Sequence, residues 1–258
     1  MSRTVAIVQA RMGSTRLPGK VLLSLAGKTV LENVLVRLMS MKGLDEICCA
    51  TTLLPEDDDI VQEAEKIGVL VCRGSDTDVL RRYSDAAKLS KADKILRVTS
   101  DCPAVDPEVC KSVLNLLDRE NVDYASNNMP REWPIGIDCE AFTSDALYQA
   151  DLYAKELPER EHVTPWMRVN KNLHRANLLC PHQGIKSLRL TLDYPEDYKF
   201  LNAIFDQLPQ GEPGYKLTEL LYVLNGNEEW ININNMHIKA SPASDYGVLV
   251  RSVRPLLR

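Results

Sequence analysis

The sequence predicts an α/β fold with a doubly wound, mostly parallel sheet, and three observations predict it. Short apolar runs alternate with helix-period patterns through the first half of the chain. The first of these runs, residues 5–8, is apolar on both faces, as a strand covered by helices on either side must be. Small, acidic and basic residues collect just past the runs, and in such sheets ligands bind beyond the carboxyl ends of the strands, here around Ala10 and Ser100.

Taken in order, residues 5–8, 46–50, 69–72 and 94–99 read as strands, and 30–41, 57–67, 79–89 and 107–117 as helices. Asp106 suits an N-cap and Pro107 a first helical turn. The second half is more mixed. Residues 122–126, 137–142, 175–179 and 187–192 read as strands, and 146–155, 161–169, 195–205 and 217–224 as helices. Residues 127–135, with Pro130, Trp133 and Pro134, read as a mobile loop beside a site. The pattern implies one domain over residues 1–225, with a first half to about residue 120 and a second from 121, then an extension over 226–258 whose pattern weakens.

The 258 residues and 45% hydrophobic content suit a folded protein with one large domain. A net charge of −5 excludes the overall basic footprint of a nucleic-acid binder. No apolar run reaches membrane-span length, and the first residues lack a signal-peptide layout, so a cytoplasmic protein is expected. The seven cysteines form no C-x-x-C pair and read as reduced and buried. The four histidines show no zinc-like spacing.

Past the first strand lies the most specific segment, Gln9-Ala-Arg11-Met-Gly13-Ser14-Thr-Arg16-Leu-Pro-Gly19-Lys20. A strand, a small-residue loop with Arg11, Arg16 and Lys20, and a following helical pattern make a receptor for a polyphosphate. Five residues separate Gly13 from Gly19, and Val21 follows Lys20, so this is not a Walker A loop. Nor is there a G-x-G-x-x-G dinucleotide motif.

The run Ala10-Arg11-x-x-Ser14-x-Arg16-Leu-Pro-Gly-Lys20 resembles the signature loop of the sugar-acid cytidylyltransferases, which include the synthetases of CMP-ketodeoxyoctulosonate and CMP-sialic acid. With Gln9 it is most similar to the spore-coat-polysaccharide branch. The resemblance runs through most of the chain and is strongest to about Pro107. It implies a Rossmann-like nucleotidyltransferase fold with a small mixed α+β portion for the acceptor and for dimerisation. It also implies CTP as substrate, Mg2+ as cofactor and a homodimer. Gln9, Ala10, Arg11, Gly13, Ser14, Lys20, Ser75 and Thr99 then become nucleotide-binding candidates, and Arg11, Arg16, Lys20 and Asp101 catalytic ones. The family's cytosine-contacting Gln is absent, and Thr99 stands near its place.

Two acids follow apolar runs and precede prolines. In Thr99-Ser-Asp101-Cys-Pro103 and Leu192-Asp193-Tyr-Pro195-Glu196-Asp197, the resemblance makes Asp101 and Asp193 the metal ligands. Read alone, Asp101 is also a turn former, and Asp193 is also an N-cap. Glu196 and Asp197 fall in a first helical turn and read as structural. Asp138 and Glu140, on one face of a strand by period two, and His162 are acceptor-side candidates. The function implied is transfer of CMP from CTP to an acidic sugar or related small acceptor, with release of pyrophosphate, for surface polysaccharide synthesis. The alternatives are a phosphorylated or phosphonate acceptor, a nucleotide-sugar-dependent glycosyltransferase, and a nucleotide-binding module without turnover.

Overall fold

The computed structural model describes residues 2–209, 214–240 and 250–254. Its first half follows the expected alternation: β1 (Thr4–Gln9), a hairpin of β2 (Ser24–Leu25) and β3 (Lys28–Thr29), α1 (Val30–Met39), β4 (Glu46–Thr52), α2 (Asp58–Ile67), β5 (Leu70–Gly74), α3 (Val79–Ser90), β6 (Lys94–Thr99) and α4 (Pro107–Arg119). Caps set several boundaries. The Asp106 carboxylate accepts from the N–H groups of Glu108 and Val109, and the Asp78 carboxylate from that of Arg81. The second half adds β7 (Tyr124–Ser126), β8 (Glu140–Thr143), α5 (Ser144–Tyr153), α6 (Leu157–His162), α7 (Pro165–Val169), β9 (Arg175–Leu178), α8 (Pro195–Phe205), α9 (Leu217–Asn225) and β10 (Arg251–Val253).

The main sheet runs β10–β9–β7–β8–β6–β1–β4–β5. β8 is antiparallel to both neighbours, and the other pairings in this sheet are parallel. From β1 the chain moves outward through β4 to β5, then returns across to β6 on the other side of β1. That reversal opens a crevice at the carboxyl ends of β1 and β6. Gln9 lies opposite Thr99 in the register, so the loop after β1 and the turn after β6 leave the sheet at one level.

Strand alternation sends side chains to two separate apolar layers. Ala6 and Val8 pack with Val34, Leu38, Val113 and Phe200 on one face. Val5 and Ile7 pack with Leu80, Tyr83, Ala87 and Leu147 on the other. All seven cysteines are free and buried. Among the described residues no helix is long and apolar enough to cross a membrane.

The second half departs from expectation in five places. Residues 187–192 form no strand of the sheet; Ile185–Ser187 is a 3-10 turn, and Arg189 makes only an isolated bridge to Ile135. Its partner is a loop, so no ladder extends. The expected helix over 161–169 breaks into α6 and α7. Pro165 opens α7, and the break falls at Val163, whose φ of 71 is a left-handed backbone rare for a β-branched residue. Residues 127–135 are pinned and mostly buried instead of mobile. Trp133 donates its indole N–H to the Leu178 carbonyl at 2.7 Å, and Asn127 bonds the backbone of Ile137 and Cys139. β8 starts at Glu140, so Asp138 does not share a strand face with it. In the extension, Trp230, Ile231 and Ile233 pack on the apolar layer beside α8, and β10 pairs with β9.

Gly136 joins residues 127–137 to 188–192. It has φ +99, and a Cβ there would lie 2.3 Å from the Leu190 carbonyl carbon. Both the backbone and the space demand glycine. Gly136→Ala is expected to lower stability by about 2 kcal/mol or more, read as a fall in Tm of several degrees. An unchanged Tm would show that this backbone contact is slack.

Candidate active site

Most sequence-derived candidates meet in one cleft of about 420 Å³ at the carboxyl edge of β1 and β6. Gln9, Ala10, Arg11, Gly13, Ser14, Arg16, Lys20, Thr99, Asp101, His162 and Asp193 all line it. Arg82, Arg97 and Glu161 join them.

The loop after β1 is fixed from below. Met12 donates its N–H to the Asp57 carboxylate at 2.7 Å, and that carboxylate is held by the Thr52 hydroxyl. Ser14 Oγ accepts from the Leu17 N–H, and the Gly19 N–H reaches back to the Met12 carbonyl. Gly19, at φ 67, then turns the chain into the short 3-10 segment Lys20–Leu22. The backbone N–H groups of Arg11, Gly13, Thr15 and Arg16 have no partner among the described residues, leaving donors for an anion.

Lys20 is almost fully buried, and each of its three ammonium protons has an acceptor. They are Asp101 Oδ2 at 2.7 Å, the Leu192 carbonyl at 2.7 Å and Asp193 Oδ1 at 2.9 Å. Burial alone would lower the lysine pKa, but the two carboxylates raise it. For Asp101, burial alone would raise the pKa; the adjacent ammonium outweighs it and holds the carboxyl below its usual value. Lys20 is thus a clamp between two acids before any ligand arrives.

Asp193 reaches the site without a strand beneath it. The Leu192 N–H and the Thr191 hydroxyl both bond the Asp101 carbonyl, at 2.8 and 3.1 Å, stitching the two segments together. The Asp193 carboxylate also meets Arg16 Nη2 at 2.8 Å and Arg189 Nη2 at 3.0 Å. It is not the N-cap: Tyr194 holds that place, and the fully buried Asp197 accepts from the N–H groups of Asp193 and Tyr194. Asp197 also pairs with Arg189, which fits its structural reading.

Ser75, Asp138 and Glu140 stand apart from the cleft wall. The Ser75 hydroxyl accepts from the Asp78 N–H, and its carbonyl accepts from Arg82. Asp138 pairs with Arg131. Glu140 is buried beneath the cleft, bonded by Tyr124, Thr164, Arg97 and Arg168. These cations outweigh the burial that would raise its pKa, and the carboxyl is held far below its usual range. Its route to the cleft is Arg97, which also donates to Gln9 Oε1 at 3.1 Å. His162 ends α6 at the mouth, next to Glu161, whose carboxylate lies 3.9 Å from Arg11.

The sequence does not single out Arg82 and Arg97, because nothing in the arginine itself marks it as buried within a helix or strand pattern. Spacing held the clue: Arg82 lies three residues after Val79 on the buried face of α3, and Arg97 shares the Ile95 face of β6.

Lys20→Met is expected to cost roughly 2 kcal/mol at neutral pH, because two carboxylates lose their shared cation. The Asp101 pKa is depressed in the folded state, so its stabilisation is full above the unfolded carboxyl pKa of about 3.9 and disappears as pH falls through the folded value. The stability gap between wild type and Lys20→Met should therefore shrink from pH 6 towards pH 3. Denaturant unfolding at several pH values measures it, and a constant gap would remove Asp101 from the clamp.

Comparison with known proteins gives this geometry a family. A cytidylyltransferase family model matches residues 5–222. The spore coat polysaccharide biosynthesis protein SpsF of Bacillus subtilis is 32% identical over 236 residues, covering 89% of this chain and 97% of that protein. The 3-deoxy-manno-octulosonate cytidylyltransferase of Escherichia coli is 25% identical over 264 residues, covering 100% and 97%. A solved cytidylyltransferase from Leptospira borgpetersenii superposes with a TM-score of 0.83 at 32% identity, covering 90% of this chain and 97% of its own. The chain belongs to the cytidylyltransferase family, and its α/β fold is the fold of that family.

Proposed function

We propose, with membership of the cytidylyltransferase family as the premise, that the chain transfers CMP from CTP to an acidic sugar for a surface polysaccharide, releasing pyrophosphate. The observation that carries this reading is the convergence of Asp101 and Asp193 on one buried cation beside a loop of unpartnered amides and exposed guanidinium groups.

The donor set suits a hard divalent cation such as Mg2+. Asp101 and Asp193 both reach the Lys20 ammonium, so two hard oxygen donors stand close together in one place. Mg2+ commonly takes one or two carboxylates and completes its shell with phosphate oxygens and water. Asp101 and Asp193 would hold it, and when bound it neutralises charge on the reacting phosphate. Arg16, half exposed and bound to Asp193, reaches the β- and γ-phosphates together with the open loop amides. These donors stabilise the departing pyrophosphate as its charge develops. Lys20 keeps Asp101 and Asp193 oriented, and its protons reach a phosphate only by leaving one of its three acceptors.

The acceptor hydroxyl gives up its proton to water as its oxygen attacks the α-phosphorus, and the bond from that phosphorus to the β-phosphate oxygen breaks, so pyrophosphate leaves. Arg97 and His162 in the same cleft suit an acceptor bearing a carboxylate. Leu152, Tyr153 and Leu157, exposed at the end of α5 and the start of α6, support a homodimer within this reading.

Pyrophosphate release with CTP and Mg2+ across acidic sugars, neutral sugars and phosphorylated small molecules tests the proposal. Acidic sugars should support turnover, chelation should stop it, and Mg2+ should restore it. Asp101→Asn and Asp193→Asn should each lower turnover about tenfold or more, with the secondary structure retained by circular dichroism. Turnover with phosphorylated acceptors alone would replace the acidic sugar, and full activity in both variants would remove the paired acids from the chemistry.

A further inference from the structure

Arg82 is a buried cation with donors to spare. It is 1% exposed, yet it forms part of the cleft wall. Nη1 donates to the Ser75 carbonyl at 2.9 Å, but Nε is buried without a partner. Among the described residues Nη2 makes no hydrogen bond, and no carboxylate forms an ion pair with this guanidinium. Burial lowers its pKa from the usual arginine value, though a guanidinium remains charged. The other buried arginines of the site differ: Arg97 and Arg168 share Glu140, and Arg189 has Asp193 and Asp197. A desolvated cation that no carboxylate touches costs stability that a ligand would offset.

Its place in the sheet indicates which part of a ligand it meets. Asp101 and Asp193 lie past β6, on one side of β1. Arg82 packs against the end of β5, on the other side of β1, where a Cβ added to Gly74 would lie 3.4 Å from Arg82 Cγ. A nucleoside triphosphate whose phosphates sit at the first end directs its base towards the second. The edge of the guanidinium left without partners carries two parallel donors, Nε–H and Nη2–H. Cytosine offers two adjacent acceptors, O2 and N3. Uracil offers O2 but has an N–H at position 3, which faces a donor with a donor.

We infer that Arg82 reads the base, donating from its Nε–Nη2 edge to O2 and N3 of cytosine, and that it sets the preference for CTP over UTP. This rests on the reading of Asp101, Asp193 and the loop after β1 as the triphosphate end.

Titration of CTP, UTP and inorganic triphosphate, each with Mg2+, into wild type, Arg82→Gln and Arg82→Lys tests it. Wild type should favour CTP over UTP about tenfold or more. Both variants should bring that ratio close to one while binding inorganic triphosphate within about twofold of wild type. Arg82→Lys keeps a cation and a long stem but lacks the two-donor edge, so it separates base reading from charge alone. An unchanged CTP-to-UTP ratio in a folded variant overturns the inference, as does a loss of triphosphate affinity equal to the loss for CTP. Equal CTP and UTP affinity in wild type overturns it without any variant. Failure of wild type to bind either CTP or inorganic triphosphate would instead sink the reading of the triphosphate end.

Discussion

One ammonium group organises the carboxyl edge of the sheet. Lys20 draws together the loop after β1, the turn after β6 and the segment before α8, by one proton to each of Asp101, Leu192 and Asp193. A buried charge is tolerated only when paired and hydrogen-bonded, so this cation dictates where both acids stand. Two carboxylates that close would repel each other without it. The clamp therefore holds the two acids side by side before any ligand arrives, and the loop amides stand beside them because Gly19 turns the chain directly into Lys20.

Charge pairing also shapes the opposite face of the sheet. Glu140 gathers Tyr124, Thr164, Arg97 and Arg168 from β7, α7 and β6, and Arg97 carries that order to Gln9. The cleft wall then holds Arg11, Arg16, Lys20, Arg82 and Arg97 against only Asp101, Glu161 and Asp193. The chain as a whole is acidic, at −5. Attraction of a polyanion is thus a local field in a concave, partly desolvated place, where screening is weakest, and not a property of the whole surface.

The first half was legible in the sequence because local chemistry and global fold agree there. Apolar runs, the Asp78 and Asp106 caps, and the small-residue basic loop each specify their own structure. The cleft's loop and Asp101 were legible for the same reason. Asp193 was placed at the site by resemblance, but the structure supplies another route: residues 188–192 are held by backbone bonds to Ile135 and Asp101 instead of by a ladder. A run with alternating apolar residues looks the same in both settings, since only the partner distinguishes them. The break at Val163 was hidden because nothing in a β-branched residue announces a positive φ. Glu140 reads as an acceptor-side residue, and its burial stays hidden because its cations come from distant segments; Arg82 and Arg97 draw no reading for the matching reason.

The extension after α9 shows how far support for the acids reaches. Arg189 aims at Asp193 because Asp197 holds its other edge, at 2.8 and 3.0 Å. Asp197 is in turn bonded by Asn234, whose amide also reaches the Arg189 carbonyl, at 2.9 and 3.0 Å. Three residues later His237 stacks on Tyr194, with ring centroids 3.9 Å apart, and meets Glu196 at 3.1 Å. Tyr194 lies next to Asp193 and within 5.1 Å of the Arg16 guanidinium. A segment with weak patterning of its own thus forms the outer layer of a chain of contacts, Asn234 to Asp197 to Arg189 to Asp193. Rigid second partners are what keep a carboxylate in one rotamer. The weak pattern fits that role: beyond Trp230, Ile231 and Ile233, the described contacts of the segment are a few directed polar ones, which leave no periodic trace.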